Sequence, residues 1–204
     1  MVDYSAVERM LTSHGVSERT QRTLREIGAE LRQRSASTGD ERAAMVSNRT
    51  GRRLGRILRG EPNRVDISPH IAAMVPDHPY VQLHTHPGSA SASFSERDAF
   101  NVVGVPGIEV MVVVGVDGAW YVLSRADDFA VPESERNRQR RLLEVFNAFW
   151  NHLNALKPSH DERVNTGEFD DAQARHALTH EVWVLIAPGL RLRYDRVDAP
   201  GSGT

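Results

Sequence analysis

The feature of this sequence that most restricts its fold is a pair of histidines and a proline, followed after seven residues by a serine and an aspartate. The segment that ends at His86 alternates as a β-strand does, so His84 and His86 point to the same face. Pro87 has no backbone N–H to donate and ends the strand. Ser95 is a typical helix N-cap, which places Asp98 in the first helical turn. A strand end and a helix start therefore converge on one point.

The residue types brought to this point are those of a metal site. Two histidines, one aspartate and an open fourth position are the ligand set of a catalytic zinc ion, whereas a structural zinc site is closed by four protein ligands. With 9 His and 10 Pro in 204 residues, the whole pattern arises by chance in about one chain in ten thousand. The alternatives are a plain capping arrangement for the serine and aspartate and ordinary strand positions for the histidines. The agreement of five positions favours the metal site.

The pattern resembles the signature of the JAMM (MPN-type, Mov34-like) zinc metalloproteases of the prokaryotic JAB-domain type. That signature is an upstream glutamate, His-x-His-Pro, seven residues and Ser-x-x-Asp, and the resemblance covers roughly residues 38–125. It implies an α/β (α+β) fold in which helices flank a cytidine-deaminase-like mixed β-sheet. It implies that His84, His86 and Asp98 bind zinc (Zn2+) and that Ser95 steadies the water or the developing oxyanion. The implied enzyme hydrolyses peptide or isopeptide bonds, commonly those to ubiquitin-like proteins.

The family's remaining residue is a glutamate at the start of an early strand, which acts as the general base, and Glu41 is the best match. It begins a short apolar run that a turn at residues 48–51 ends. Glu61 is the alternative, but it lies in a predicted turn, which is a poor platform for a fixed base. Glu30 lies in a helical stretch. In this mechanism Glu41 takes a proton from water and passes it to the leaving amine, and no covalent acyl-enzyme forms. No cysteine nucleophile is needed, which suits a chain without cysteine.

Composition narrows the class of protein further. A chain of 204 residues with 40% hydrophobic content suits one core with a small appendage. No apolar run reaches the ~18–20 residues of a membrane-spanning helix, and the N-terminus lacks a signal-peptide pattern. With no cysteine and a net charge of −2, we expect a cytoplasmic protein with neither a membrane nor a nucleic-acid partner.

Four segments are predicted along the chain. Residues 1–36 form an N-terminal helical segment, and residues 37–130 form the JAMM/MPN-like catalytic core. Residues 131–199 form a C-terminal helical extension that packs on the core. Residues 200–204 form a disordered tail. The resemblance does not explain the two helical segments.

Local patterns predict the individual elements. Residues 3–34 are predicted to be helical with Ser17 as a cap, and residues 35–40 to be a linker. Pro158 is predicted to end a long helix, after which residues 159–170 form a loop. The remaining predicted elements are a hairpin of residues 41–47 and 52–58, a strand at 65–67, a helical turn at 69–75, a flexible loop at 88–93, a buried strand at 107–115, its return at 119–123, helices at 133–156 and 171–186, and an edge strand at 190–194.

Two further patterns lie outside the motif. A seam that repeats every three or four residues predicts packing within the chain, with a homodimer left open; it comprises Leu142, Phe146, Phe149, Leu153 and Leu156. His176 and His180 share a helix face, but a zinc helix of the H-E-x-x-H type needs Glu where Ala177 stands. The remaining histidines are expected at the surface or in loops; they are His14, His70, His78, His152 and His160.

Two other functions compete with the peptidase. One is a non-catalytic MPN-like scaffold, although such relatives usually lack one or more metal ligands and this chain keeps the whole set. The other resembles a DNA-repair-associated JAB-fold protein, which only the arginine-rich hairpin supports. No motif in the sequence identifies the modifier or peptide that is cut.

Overall fold

A six-stranded mixed β-sheet forms the centre of the protein, which a computed structural model describes over residues 3–87 and 93–198. The predicted tail at 200–204 and most of the predicted loop at 88–93 lie outside the described residues. The strands are β1 (Arg42–Ser47), β2 (Arg53–Arg59), β3 (Tyr80–His86), β4 (Ile108–Gly115), β5 (Trp120–Arg125) and β6 (Leu192–Val197). Their order across the sheet is β2-β1-β3-β4-β5-β6. Only β3 and β4 pair in parallel, and every other neighbouring pair is antiparallel.

Helices cover both faces of the sheet. They are α1 (Tyr4–Ser13), α2 (Glu18–Thr38), α3 (Ser68–Ala72), α4 (Glu96–Gly104), α5 (Glu135–Asn165) and α6 (Asp171–Ile186), and a 3-10 turn at Pro188–Leu190 precedes β6. This arrangement confirms the predicted mixed sheet flanked by helices. No helix in the described ranges is both long enough and apolar enough to cross a membrane.

Alternate residues of each strand enter one of two hydrophobic cores. Ala44 and Leu83 pack in the core that contains α1 and α2. Ala43 and Met45 pack in the core that contains α4, α5 and α6. Because Ala43 lies directly opposite His84 in the β1–β3 pair, His84 and His86 face this second core. The fold therefore directs the motif's imidazoles toward α4 and the C-terminal helices.

The N-terminal segment contains two helices where the sequence predicted one helical stretch. The chain turns after α1 at Gly15, whose φ of 73° suits glycine. Ser17 then begins α2 as predicted, and its side chain accepts a hydrogen bond from Thr20 N. The predicted linker at 35–40 is wrong over most of its length, because α2 continues to Thr38 and ends at Gly39 in the left-handed conformation.

The prediction that Pro158 ends a helix is wrong, since α5 continues through it to Asn165. Proline removes one hydrogen bond from a helix, and packing on a neighbouring element can outweigh that loss. The buried His160 supplies such packing, because its Nε2 lies 2.9 Å from Glu181 Oε2 on α6. Much of the predicted loop at 159–170 is therefore helical.

The predicted strand at residues 65–67 is also wrong. Glu61 and Arg64 form an isolated β-bridge, and residues 65–67 belong to no strand. Asp66 instead prepares the start of α3, because its Oδ1 accepts a hydrogen bond from Ser68 N at 2.9 Å. A side chain that competes for backbone donors in this way favours a turn over a strand.

Three of the histidines expected at the surface are buried: His14, His70 and His160. His14 has partners on two strands, with Nδ1 2.7 Å from Ser124 Oγ and Nε2 2.8 Å from Asp195 Oδ2. His70 Nε2 lies 2.8 Å from the carbonyl oxygen of Arg56. Burial lowers the pKa of both His14 and His70. These histidines join helices to the sheet, and their partners are too distant in sequence for pattern reasoning to find.

Replacing Pro158 with alanine tests the long helix. Pro158 is exposed, so Pro158→Ala restores a helical N–H without disturbing the core. We expect the free energy of unfolding to rise by about 1–2 kcal/mol, which is the helix penalty of proline less its entropic benefit in the unfolded chain. Urea denaturation measures the change. The matched control is Asn151→Ala, at an exposed position of the same helix, with an expected gain of about 0.5 kcal/mol. Equal effects from the two variants would contradict an unbroken helix.

Candidate metal centre

The two histidines and the aspartate of the motif meet where β3 ends and α4 begins. The parallel strands β3 and β4 are joined by α4, so the carboxyl end of β3 and the N-terminus of α4 lie close together. His84 is fully enclosed, and its ring packs 6.4 Å from that of Phe94, measured between centroids. Asp98 occupies the first turn of α4, as the sequence predicted.

The distances between the ligand atoms fit a single ion. His84 Nε2 lies 3.1 Å from His86 Nε2 and 3.3 Å from Asp98 Oδ1. His86 Nε2 lies 3.7 Å from Asp98 Oδ2. Two ligand atoms on a tetrahedral ion at about 2.0–2.1 Å are about 3.3 Å apart, so little movement is needed to hold a metal. Within the described ranges this is the one group of at least three His, Cys, Asp or Glu side chains so arranged.

Ser95 holds the aspartate in place. Its backbone N–H and its hydroxyl each donate a hydrogen bond to Asp98 Oδ2, both at 2.7 Å. Its Oγ also accepts from Asp98 N at 3.3 Å, which completes a capping box. The capping role and the metal role are therefore compatible, because the contacts that begin α4 also orient the candidate ligand. In this arrangement the Ser95 hydroxyl proton is directed at Asp98.

Mutual attraction dominates the protonation of the centre. Burial alone would raise the pKa of Asp98, but attraction to His84 and His86 and the hydrogen bond from Ser95 hold it below its usual range. Burial would likewise lower the pKa of His84, but the negative charge of Asp98 outweighs it and raises that pKa. The negative charge of Asp98 beside the two imidazoles therefore favours a positive charge at this point, which a bound cation would also supply.

Glu41 lies in the same cavity as the three candidate ligands, whereas Glu61 does not line it. Glu41 comes directly before β1 and is fixed by its backbone, since its N–H donates to the carbonyl of Glu61 and its carbonyl oxygen accepts from Gly60 N, each at 2.9 Å. Its side chain is only 9% exposed. Burial raises its pKa to about 7, with Asp98 adding to the effect and His84 opposing it. A carboxyl with a pKa near neutrality suits a general base.

A cavity of about 540 Å3 surrounds the centre. The candidate ligands and Glu41 form part of its lining. The rest of the lining, here called the rim, comes from the segment after β2, from the start of α4 and from the C-terminal helices; it includes Arg64, Val65, Arg97, Phe149, Trp150, Leu153 and Thr179. The sequence did not indicate that α5 and α6 reach the cavity, because their helical period identifies a buried stripe but not the surface that it meets.

The C-terminal segment also fixes the residues just before Ser95. The indole Nε1 of buried Trp183 on α6 donates to the carbonyl of Phe94 at 2.6 Å. The hydroxyl of Tyr194 on β6 lies 2.8 Å from Ser93 Oγ and 2.9 Å from His180 Nδ1. Sequence reasoning missed these contacts. The one available signal was general, since a buried indole or phenol needs a hydrogen-bond partner.

The paired histidines of α6 contact tyrosines. His180 bonds Tyr194, and His176 Nε2 bonds the hydroxyl of Tyr121. Burial lowers the pKa of both histidines, and nearby Arg196 adds to the effect. Their shared face therefore packs against the sheet.

No protein-family model matches the chain, and no curated protein and no solved structure matches it. Conclusions about function therefore rest on the residues and geometry of the metal centre.

We expect the purified protein to bind one zinc ion per chain at this centre. The double variant His84→Ala, His86→Ala should lose the ion, because one carboxylate cannot hold zinc alone. Elemental analysis after dialysis against zinc-containing buffer measures the stoichiometry. The control is His152→Ala, which removes an exposed histidine of α5. Zinc retained at full stoichiometry in the double variant would show that the ion binds elsewhere.

Proposed function

We propose that this chain is a JAMM-type zinc metallopeptidase or isopeptidase that hydrolyses the amide after the C-terminal glycine of a ubiquitin-like modifier. The observation that carries the proposal is the position of Glu41. A buried glutamate with a raised pKa shares one cavity with two histidines and an aspartate that can hold a metal. Those residues are the ones that the JAMM signature requires.

The order of elements around the centre supports the same family. A glutamate precedes β1, the two histidines end β3, and the serine and aspartate begin α4. Glu41 lies two residues before Ala43, which is paired with His84, and Glu41 and His86 line the same cavity. This arrangement is consistent with the JAMM/MPN-like core that the resemblance implies, with α1, α2, α5 and α6 added around it.

The residues of the chain have separate tasks in the proposed reaction. Zinc held by His84, His86 and Asp98 would supply Lewis-acid activation of water and of the substrate carbonyl. Glu41 accepts a proton from the attacking water and then donates it to the leaving amine. Ser95 orients Asp98, and a rotation of its hydroxyl would let it donate to the oxyanion of the tetrahedral intermediate.

The non-catalytic scaffold is the alternative if hydrolysis is not found. The free-energy cost of burying the Glu41 carboxylate argues against a scaffold. Raising the pKa of Glu41 from 4.5 to about 7 costs about 3 kcal/mol when that carboxyl is ionised. A scaffold would gain nothing from a buried carboxyl beside a complete ligand set.

Replacing Glu41 with glutamine tests the general base. Glu41→Gln keeps the side-chain shape but cannot accept a proton, so we expect hydrolysis to fall by a factor of about 10² or more. Zinc content and the thermal unfolding temperature should stay at or above those of the wild type. The matched control is Glu61→Gln, which alters an exposed side chain and leaves its backbone contact with Glu41 intact. An inactive Glu61→Gln beside a fully active Glu41→Gln would reverse the assignment.

The proposed substrate can be tested directly. A ubiquitin-like protein encoded near this gene, fused through its terminal glycine to a lysine side chain or a short peptide, should be cleaved by zinc-loaded protein and protected by a chelator. Gly→Val at the modifier's last residue should stop cleavage, because the proposed preference for glycine requires a channel over the metal that leaves no room for a Cβ. Mass spectrometry of the products locates the cut. If every such fusion stays intact, the peptidase proposal fails and the scaffold becomes the better explanation.

A further inference from the structure

An apolar wall on α5 lies in the cavity of the metal centre and has no part in the proposed chemistry. Phe149, Trp150 and Leu153 line the cavity together with His84 and Asp98. Phe149 is buried and meets Trp150 edge to face, with ring centroids 5.9 Å apart, whereas Trp150 is 38% exposed. Part of the indole is therefore packed on Phe149, and part is accessible to a ligand.

The wall continues along α5 away from the metal. Phe146 is 42% exposed and Leu143 is 57% exposed, and the Phe146 ring centroid lies 6.2 Å from that of Trp150. Leu143, Phe146 and Trp150 are three and four residues apart, so their side chains lie on one face of the helix. Single exposed apolar residues are ordinary, but a continuous row that leads into a cavity is typical of a binding surface.

The charges at the rim indicate the chemistry of the ligand. Arg64 and Arg97 line the cavity and are exposed, and neither forms an ion pair within the described part of the chain. Glu96 lines the same rim. Apart from the metal ligands and Glu41, the rim thus carries two positive charges and one negative charge. An acidic side chain placed beside the apolar wall would meet a net positive rim.

We propose that the α5 wall selects the substrate by holding a large apolar side chain next to the bond that is cut, with an acidic side chain of the same segment held near Arg64 and Arg97. The eight residues from Leu143 to Trp150 span about 10 Å, which is the length of about three residues of extended chain. The proposed occupant is an extended segment that turns one large apolar side chain toward the wall and carries an acidic side chain nearby. The identity of the bond that is cut rests on the proposed function, whereas the binding of the segment does not.

Tryptophan fluorescence can report this binding directly. The chain has three tryptophans, and Trp120 and Trp183 are buried, so Trp150 is the one that a ligand can cover. The probes are synthetic ten-residue Gly/Ser peptides with one Phe and one Asp, and matched peptides with Ala in place of Phe or Lys in place of Asp. Zinc-loaded Glu41→Gln protein prevents cleavage during the titration. We expect a blue shift, protection from acrylamide quenching, and binding of the Phe/Asp peptide about tenfold tighter than that of either matched peptide.

Two variants separate the wall from the rest of the protein. Trp150→Ala and Leu153→Ala should each weaken binding of the Phe/Asp peptide about tenfold and remove the preference for Phe over Ala. Isothermal titration calorimetry measures the affinities. The control is Val184→Ala, which truncates a 52% exposed apolar side chain of α6 outside this cavity. It should leave binding unchanged. Circular dichroism and zinc content should be the same in all three variants.

The outcomes distinguish this inference from the proposed function. Equal affinity for the Phe and Ala peptides, equal losses in Trp150→Ala and Val184→Ala, or no binding of any peptide at millimolar concentration would overturn the inference. Zinc-dependent cleavage of a modifier fusion with unchanged KM in Trp150→Ala would overturn it while leaving the peptidase intact. Selective peptide binding without cleavage of any fusion would instead support the subsite and reject the peptidase.

Discussion

The capping box between Ser95 and Asp98 is the interaction on which the metal centre depends. The same three hydrogen bonds begin α4 and fix the carboxylate that faces His84 and His86. The unpaired backbone N–H groups at a helix start can be satisfied by any of several capping side chains. Here the aspartate at the third helical position is also the candidate ligand, so the stability of α4 and the geometry of the centre are set together. This coupling lets one short segment both begin the helix and orient a candidate ligand.

The local part of the site could be predicted from the sequence, and the long-range part could not. The convergence of the motif's side chains follows from strand and helix periods within fifteen residues of sequence; these side chains are His84, His86, Ser95 and Asp98. Choosing Glu41 as the general base required the resemblance to the JAMM signature, because the approach of Glu41 to the centre depends on the β1–β3 register. Antiparallel pairing of Ala43 with His84 carries the buried carboxyl to the histidine face.

The errors at Pro158 and at the buried histidines share one physical cause. Pro158 was expected to end a helix because propensity counts the lost hydrogen bond but not the packing of α5 on α6. His14 and His70 were expected at the surface because a lone histidine shows no partner in its own neighbourhood. Their partners, Ser124 and the Arg56 carbonyl, lie in other elements. Tertiary contacts overrode local preference in each case.

A packed row of aromatic rings in the C-terminal helices links the exposed Trp150 to the candidate metal centre. Trp150 rests on Phe149, and Phe149 lies 5.6 Å from Trp183 between ring centroids. Trp183 in turn donates its indole N–H to the carbonyl of Phe94, next to Ser95. Interiors packed at this density transmit displacements, because no void absorbs them. In the proposed peptidase, a side chain pressed against Trp150 would therefore act on the packed side chains that position the start of α4. The C-terminal helices would then both contact the substrate and hold a candidate metal ligand in place.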